Sequence, residues 1–455
     1  MTFIAINPAT GTEVRRVATI DNSALRKAVR AADKAFRVWR GTPLSERADR
    51  LRAVARALRD DAADHARLMA EEMGKPVTAG RSEAEKCAWV CEYYADHAAA
   101  FLADEPVSTD ASRSYVTYRP LGPVLAVMPW NFPYWQVFRF AAPAVMAGNA
   151  VLLKHAPNVP GCAARIERLF TDAGFPDGVF QTLYITEKQA AAVIRNPLVR
   201  GVTLTGSVGA GQAVAKQAGA RVKKTVLELG GSDPYVVLDD ADIEAAAETC
   251  VTSRLINSGQ SCIAAKRFIV VEPVREAFER GVVERMRAAT MGDPMQPGTD
   301  VGPQAREDLR DALHRQVTES VAAGARCLLG GEVPSGRGWF YAPTVLTGVR
   351  KGMPAFDEEV FGPVAAIVPV RNRREALRAA NDSAYGLGAA VFTRDLPAGE
   401  RIAREELEAG ACFVNAHVRS DPRLPFGGIK DSGYGRELGR AGIREFVNAK
   451  TVWVA

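Results

Sequence analysis

Gly201-Val202-Thr203-Leu204-Thr205-Gly206-Ser207-Val208-Gly209-Ala210-Gly211 reads as a short apolar strand running into a glycine-rich turn and then into helix-forming sequence. Backbone N–H groups in such a turn, backed by the dipole of the following helix, are suited to meet a pyrophosphate. The glycines fall as Gly-x-x-Gly-x-Gly, which is not the usual dinucleotide spacing, so the stretch taken alone is also the pattern of an ordinary turn. Its neighbours decide the reading. Upstream, residues 124–128, 150–153 and 180–183 are short apolar runs separated by helical stretches, and the pattern resumes downstream at 234–238, 267–271, 364–368 and 388–392. Strands alternating with helices of this length predict an α/β protein whose parallel sheets are covered on both faces. Nucleotides bind such sheets beyond the carboxyl ends of the strands.

At 455 residues the chain exceeds what one hydrophobic core organises, so two or more domains are expected. Ahead of the first apolar run, helical periodicity covers residues 23–39, 43–72 and 79–103, with Thr42-Pro43 as an N-cap and first-turn pair and Gly74-Lys75-Pro76 as a stop. Trp89, Tyr93 and Tyr94 on the third of these helices read as core packing. Residues 114–118 alternate like a half-buried strand with no hairpin partner nearby, and 450–454 are β-rich as well.

The composition, 47% hydrophobic and 24% charged with a formal charge of +5, is that of an ordinary folded protein. Basic and acidic residues are interspersed, so a nucleic-acid partner is not indicated and a small anionic substrate fits better. No apolar run approaches the roughly twenty residues that span a bilayer, and Met1-Thr2-Phe3-Ile4 opens no signal peptide. The seven cysteines are odd in number and scattered, which predicts free thiols and a cytoplasmic setting. Cys87 and Cys91 have no second pair at zinc spacing and read as core thiols; no metal is expected.

Three short motifs carry chemistry. Asn257-Ser258-Gly259-Gln260-Ser261-Cys262 places a thiol in a polar, glycine-containing turn, where it can be exposed as a nucleophile. Glu228-Leu229-Gly230-Gly231 offers a carboxylate able to activate water, and Pro129-Trp130-Asn131-Phe132-Pro133 an amide able to hydrogen-bond an oxyanion. Singly each is weak. In this order they resemble the aldehyde dehydrogenase superfamily, and the resemblance runs from Asn7-Pro8 to the C-terminal tail.

That resemblance implies an aldehyde dehydrogenase-like fold: a Rossmann-type cofactor domain (1–108 and 120–229), an α/β catalytic domain (230–427) and a small β oligomerisation flap (109–119 and 437–455). A homodimer or homotetramer is implied with it. It makes Cys262, Glu228 and Asn131 the catalytic set. Lys154 resembles the lysine that bonds the adenosine ribose, Gly206 and Ser207 belong to the family's Thr-Gly-Ser turn, and Glu359 and Phe361 match its nicotinamide-side segment. Trp130 and Leu229 complete the cofactor contacts. Members favouring NAD often carry Glu three residues after the lysine; here Pro157 stands there, so nothing repels a 2′-phosphate and NAD or NADP is expected. His155 offers either a proton-dependent phosphate contact or, as a lone histidine more often does, polar packing.

For the substrate, a guanidinium at Arg139 assisted by the Ser420 hydroxyl is suited to hold a carboxylate. With Lys-His-Ala-Pro-Asn at 154–158 and the sequence around Cys262, these segments look like bacterial succinate-semialdehyde dehydrogenases. Alternatives are a broad aliphatic or aromatic aldehyde dehydrogenase, a coenzyme A-acylating relative, against which Glu228 counts, and a non-catalytic scaffold.

Overall fold

The computed structural model describes residues 1–455. Two open sheets organise it. The first has six strands in the order Gly433–Tyr434, Lys224–Glu228, Gly201–Thr205, Pro123–Val127, Ala150–Lys154, Phe180–Thr182. The last five are mutually parallel, and the short Gly433–Tyr434 edge is antiparallel. Chain order runs outward from Pro123–Val127 to Phe180–Thr182 and then restarts on the other side with Gly201–Thr205. That reversal opens a crevice at the carboxyl ends of Pro123–Val127 and Gly201–Thr205, where ligands of such sheets bind.

The second sheet has seven strands, ordered Arg326–Leu329, Thr344–Thr347, Val364–Val370, Arg267–Val271, Pro234–Val237, Gly388–Phe392, Ala411–Val414. All are parallel except the Arg326–Leu329 edge. Lys224–Glu228 and Pro234–Val237 thus lie in different sheets, and the chain changes sheet across the Leu229-Gly230-Gly231 turn. No helix is long and apolar enough to cross a membrane.

The helical layer shows how local chemistry sets the elements. Asn22–Trp39 starts at Asp21, whose carboxylate accepts the Ala24 N–H, and buries Leu25, Val29, Ala32 and Phe36 along one stripe. The single helix expected over 43–72 is two, Leu44–Asp60 and Ala62–Met73, because Asp61 turns the backbone at φ −101°, ψ 18°. Pro43 is itself the N-cap, extended at ψ 146° and without a side-chain cap, so the Thr42-Pro43 pair sits one position earlier than expected. Gly74 ends the second helix in the left-handed region. Val77–Phe101 follows, burying Cys87, Cys91 and Tyr94, while Trp89 stays 36% exposed at its outer face.

Strand Arg113–Pro120 pairs antiparallel with Val447–Val454, from Val447 opposite Pro120 to Val454 opposite Arg113. Contrary to expectation it also has a hairpin partner nearby, Glu105–Pro106 on its other edge, which at two residues is too short to show alternation in sequence. Both ends of this small sheet come from distant parts of the chain, and Trp453 remains 52% exposed on it.

Candidate active site

The carboxyl ends of the first sheet face the turns that enter the second. Cys262 lies ahead of strand Arg267–Val271, and it lines two cavities at once. One, of about 240 Å³, lies between Pro129, Trp130 and Asn131, Gly206 and Ser207, Leu229 and Gly230, and Glu359 and Phe361. The other, of about 440 Å³, is walled by Phe132, Trp135, Lys86, Arg139, His417 and Ser420, among others.

The loop before Cys262 is held in a conformation that side chains rarely adopt. Asn257 and Ser258 have φ of +54° and +56°, and Gly259 follows at +76°. Such strain persists only where the surroundings over-determine it. Here Asn257 Nδ2 donates to the carbonyls of Asn131 and Gln260 (2.7 and 3.0 Å), Ser258 Oγ accepts the Gly302 N–H (2.8 Å), and Gln260 Oε1 accepts the Ala305 N–H (2.9 Å). A Cβ at Gly259 would stand 2.2 Å from the Gly362 carbonyl, so only glycine lets the two loops touch. Beneath the turn, buried Lys266 donates to the carbonyls of Ser261 and Cys262 (3.0 and 2.7 Å) and lies 3.7 Å from Glu359.

Asn131 is brought to the same place from the first sheet: its Nδ2 donates to the Gln260 carbonyl at 3.1 Å, which uses one of its two N–H groups. The Cys262 N–H has no acceptor in the chain. Asn131 and Cys262 line the same cavity, each with an N–H that no protein acceptor takes. Burial pushes the half-buried Cys262 thiol up to about 12, with Arg139 and Lys266 pulling it back. A base must take its proton before it attacks.

Glu228 ends strand Lys224–Glu228 and is 2% exposed. Neither carboxylate oxygen has a hydrogen-bond partner. Burial raises it well above the usual carboxylate range, Arg139 opposes that shift, and Glu437 adds to it. An unsatisfied, desolvated carboxylate is a strong base for its type, but this one lines neither cavity and lies against Gly427, near Arg139 and Glu437.

The crevice can be tested for a dinucleotide on its own features. Ser207 caps helix Val208–Gly219 by accepting the Ala210 N–H, which leaves the first two N–H groups without intrahelical partners and pointing out of the helix end. A Cβ on Gly209 would meet nothing within 4 Å, whereas one on Gly211 would collide with Leu229 at 2.6 Å, so the glycines serve open access and close helix–strand packing respectively. Trp130 and Phe361 form a wall, edge to face at 5.9 Å. Of the adjacent acids, Glu358 is tied outward by Arg315 and Gln316, and Glu359 accepts the Gly231 N–H inside the crevice. Lys154 ends its strand with an amine that burial makes less basic. These residues fit a dinucleotide phosphate and ribose.

Two expectations need correction. His155 is not free to meet a phosphate. Its Nδ1 accepts the Ala156 N–H and its Nε2 donates to the Pro133 carbonyl, both at 2.8 Å, and burial drops its pKa to about 4. It braces the Asn131 loop from behind. Arg139 is not a free guanidinium either: buried in the wholly buried helix Trp135–Ala147, it pairs with Glu437, donates from Nη2 to Thr205 Oγ1 at 3.3 Å and lies over Phe426. It still lines the larger cavity. Pro157 is exposed beyond Lys154, and Ser420 is buried in the cavity wall.

Sequence reading missed several residues. Glu83 Oε1 accepts the N–H groups of Tyr134 and Trp135 (both 2.9 Å), Glu83 pairs with buried Lys75, and Lys75 lies 3.8 Å from the Phe132 ring centre. This clamps the start of the helix that follows Asn131. Lys86, one turn on from Glu83, enters the larger cavity. Only charged residues inside an otherwise core-like helix signal them.

The aldehyde dehydrogenase family model matches residues 1–452. The chain is 49% identical over its whole length to a probable NADP-dependent succinate-semialdehyde dehydrogenase of Synechocystis sp., covering all of that protein. It is 47% identical to the NAD(P)-dependent succinate semialdehyde dehydrogenase Sad of Escherichia coli, over 99% of this chain and 97% of the relative. Among solved structures, succinic semialdehyde dehydrogenase of Streptococcus pyogenes in complex with NADP+ superposes with a TM-score of 0.97 at 38% identity, each chain covered to 99%.

Proposed function

The chain belongs to the aldehyde dehydrogenase family, and from that premise we propose that it oxidises succinate semialdehyde to succinate with NAD(P)+. The observation that carries this reading is the position of Cys262, in the wall shared by a dinucleotide crevice and a cavity bearing Lys86, Arg139 and Arg419. A cavity so charged suits an aldehyde with a carboxylate at its far end.

The Cys262 sulfur, once deprotonated, adds to the aldehyde carbon. Asn131 Nδ2–H and the Cys262 N–H then hydrogen-bond the resulting oxyanion. Lys154, Gly206, Ser207, Glu359 and the Trp130–Phe361 wall would hold NAD(P)+, which when bound would supply the hydride acceptor. The acyl group is left as a thioester on Cys262. Glu228 takes a proton from water, the hydroxide adds to the thioester carbon, and the C–S bond breaks to release the acid and the thiolate. In sum an aldehyde, NAD(P)+ and water give a carboxylate, NAD(P)H and two protons.

Among cofactors, exposed Pro157 sets no carboxylate against a 2′-phosphate, so NADP is accepted. The assembly we propose is a homo-oligomer joined through the sheet of Arg113–Pro120 and Val447–Val454, whose Val447–Val454 edge is unpaired. A panel of succinate semialdehyde, butanal and benzaldehyde against both cofactors, followed at the nicotinamide absorbance band, tests the function. Greater kcat/KM for benzaldehyde than for succinate semialdehyde would overturn the substrate assignment.

A further inference from the structure

The ammonium beneath the thiol turn has no carboxylate within hydrogen-bond distance. Lys266 is 1% exposed, and Glu359, the acid that faces it, stands 3.7 Å away. Its three N–H groups go instead to backbone carbonyls: Cys262 at 2.7 Å, Ser261 at 3.0 Å and, more weakly, Ala264 at 3.4 Å. A cation held out of water by carbonyl dipoles is costly, and an apolar chain of similar length would fill the same volume at less cost.

The Ser261 carbonyl and the Cys262 N–H belong to one peptide unit. In a trans peptide the two point to opposite sides. The carbonyl takes both Lys266 and the Ala264 N–H (3.2 Å), while the Cys262 N–H has no protein acceptor. Tying the carbonyl down on Lys266 therefore turns the N–H away from it. The Cys262 carbonyl, in the next unit, has Lys266 as its sole protein donor, and a Cβ on Gly231 would stand 2.8 Å from it. Without the ammonium that carbonyl is left unpaired, and rotating the peptide would relieve it.

Resting on Cys262 as the nucleophile proposed above, we propose that Lys266 is a positioning residue for the thiol chemistry: it fixes and polarises the Ser261–Cys262 peptide so that the Cys262 N–H serves the oxyanion, and it brings a positive charge to the thiolate. A cation on the carbonyl oxygen strengthens the N–H at the other end of the amide as a donor. Its charge acts through protein instead of water and is little screened. Burial brings Lys266 below the usual lysine range; Glu359, Asp233 and Cys262 act against that shift and Arg254 with it. The neighbouring Arg267 spends its guanidinium on the carbonyls of Ser232, Ala379 and Ala380, and Arg139 acts on the thiol in the same sense as Lys266.

The experiment measures alkylation of Cys262 by iodoacetamide in the cofactor-free enzyme between about pH 7 and 10, located by mass spectrometry, in wild type, Lys266→Met and Lys266→Gln. In Lys266→Met the rate near pH 7 falls at least about tenfold, and the gap closes as pH rises and the wild-type ammonium loses its proton. In turnover, kcat on succinate semialdehyde and on butanal falls together by about tenfold or more, with each KM within about twofold of wild type. Lys266→Gln offers the carbonyls an N–H without the charge, so it recovers part of kcat and keeps the alkylation deficit. The urea midpoint reports the fold of each variant, and where Lys266→Met does not fold the alkylation ratio of Lys266→Gln decides. A ratio that is constant with pH in a folded variant assigns Lys266 to packing and overturns the proposal, as does a Lys266→Met kcat within about twofold of wild type. If alkylating Cys262 leaves wild-type turnover intact, the nucleophile reading itself falls and takes this assignment with it.

Discussion

Replacing Arg139 by Met separates a structural cation from a substrate ligand. The side chains of Arg139 and Glu437 are 2% and 4% exposed, so the substitution leaves a carboxylate buried without its counter-charge and removes the donor to Thr205. Breaking such a pair from one side costs about 3–5 kcal/mol, a large part of a typical protein's total stability. Arg139→Met/Glu437→Gln removes both charges at similar volume and is expected to return to within about 1–2 kcal/mol of wild type. The sign with pH follows from Glu437. Without Arg139 its folded-state pKa, already raised by burial, rises further above the unfolded value. The native state then holds a proton that the unfolded chain has released, so the penalty is small near the unfolded value and grows as pH rises to the folded one. Urea unfolding of wild type, Arg139→Met and Arg139→Met/Glu437→Gln at pH 5 and 8 measures this. If Arg139→Met loses less than about 1 kcal/mol, or Glu437→Gln does not rescue it, the pair is not the buried unit described.

Cys262→Ala is expected to abolish dehydrogenase turnover while NADP binding, followed by nicotinamide fluorescence or calorimetry, persists; loss of binding in a folded variant would contradict the two-cavity arrangement. Glu228→Gln should give one burst of NAD(P)H and then stall, with an acyl mass increase on Cys262, and a variant with neither burst nor adduct would move Glu228 to an earlier step. Pro157→Glu should weaken NADP far more than NAD, and equal effects would place Pro157 away from the ribose. His155, depressed to about 4 by burial, stays neutral while the unfolded chain takes up a proton below 6.5, so its contribution is present above 6.5 and lost as pH falls through 4. Over that window His155→Gln should flatten the fall in urea stability by on the order of 3 kcal/mol, and an unchanged slope would refute the buried, neutral ring.

What was legible in sequence was whatever has a short-range cause. Apolar runs announce four strands of each sheet, with Thr344–Thr347 and Ala411–Val414 too short to be read, and Gly259, Gly206 and the motif residues around them announce the turns at the carboxyl ends. Strand Lys224–Glu228 went unread because charges stand at both its ends, although Val226 and Leu227 are buried. The phosphate contact read for His155 and the free guanidinium read for Arg139 give way for one reason. Each was read from its position next to a motif, but the acceptor that claims His155 is Pro133 and the acid that claims Arg139 is Glu437, both fixed only by the tertiary fold. Lys86 was hidden in the same way, since its helix reads as core and its partner Ser420 comes from the other end of the chain.

The clamp of Glu83 on the N–H groups of Tyr134 and Trp135 has a consequence for redesign. Asn131 precedes that clamp, Gln136 and Arg139 follow it, and Lys86 rides on the clamping helix itself. Pocket width and oxyanion geometry are therefore set by one joint between two helices, and a smaller replacement at Trp135 made to admit a larger aldehyde would move the amide along with the wall. The loop bearing His417 and Ser420 has no such tie to Asn131. Libraries that vary 417–420 should shift substrate range while kcat on small aldehydes survives, whereas libraries on the Trp135–Ala147 helix should exchange one against the other.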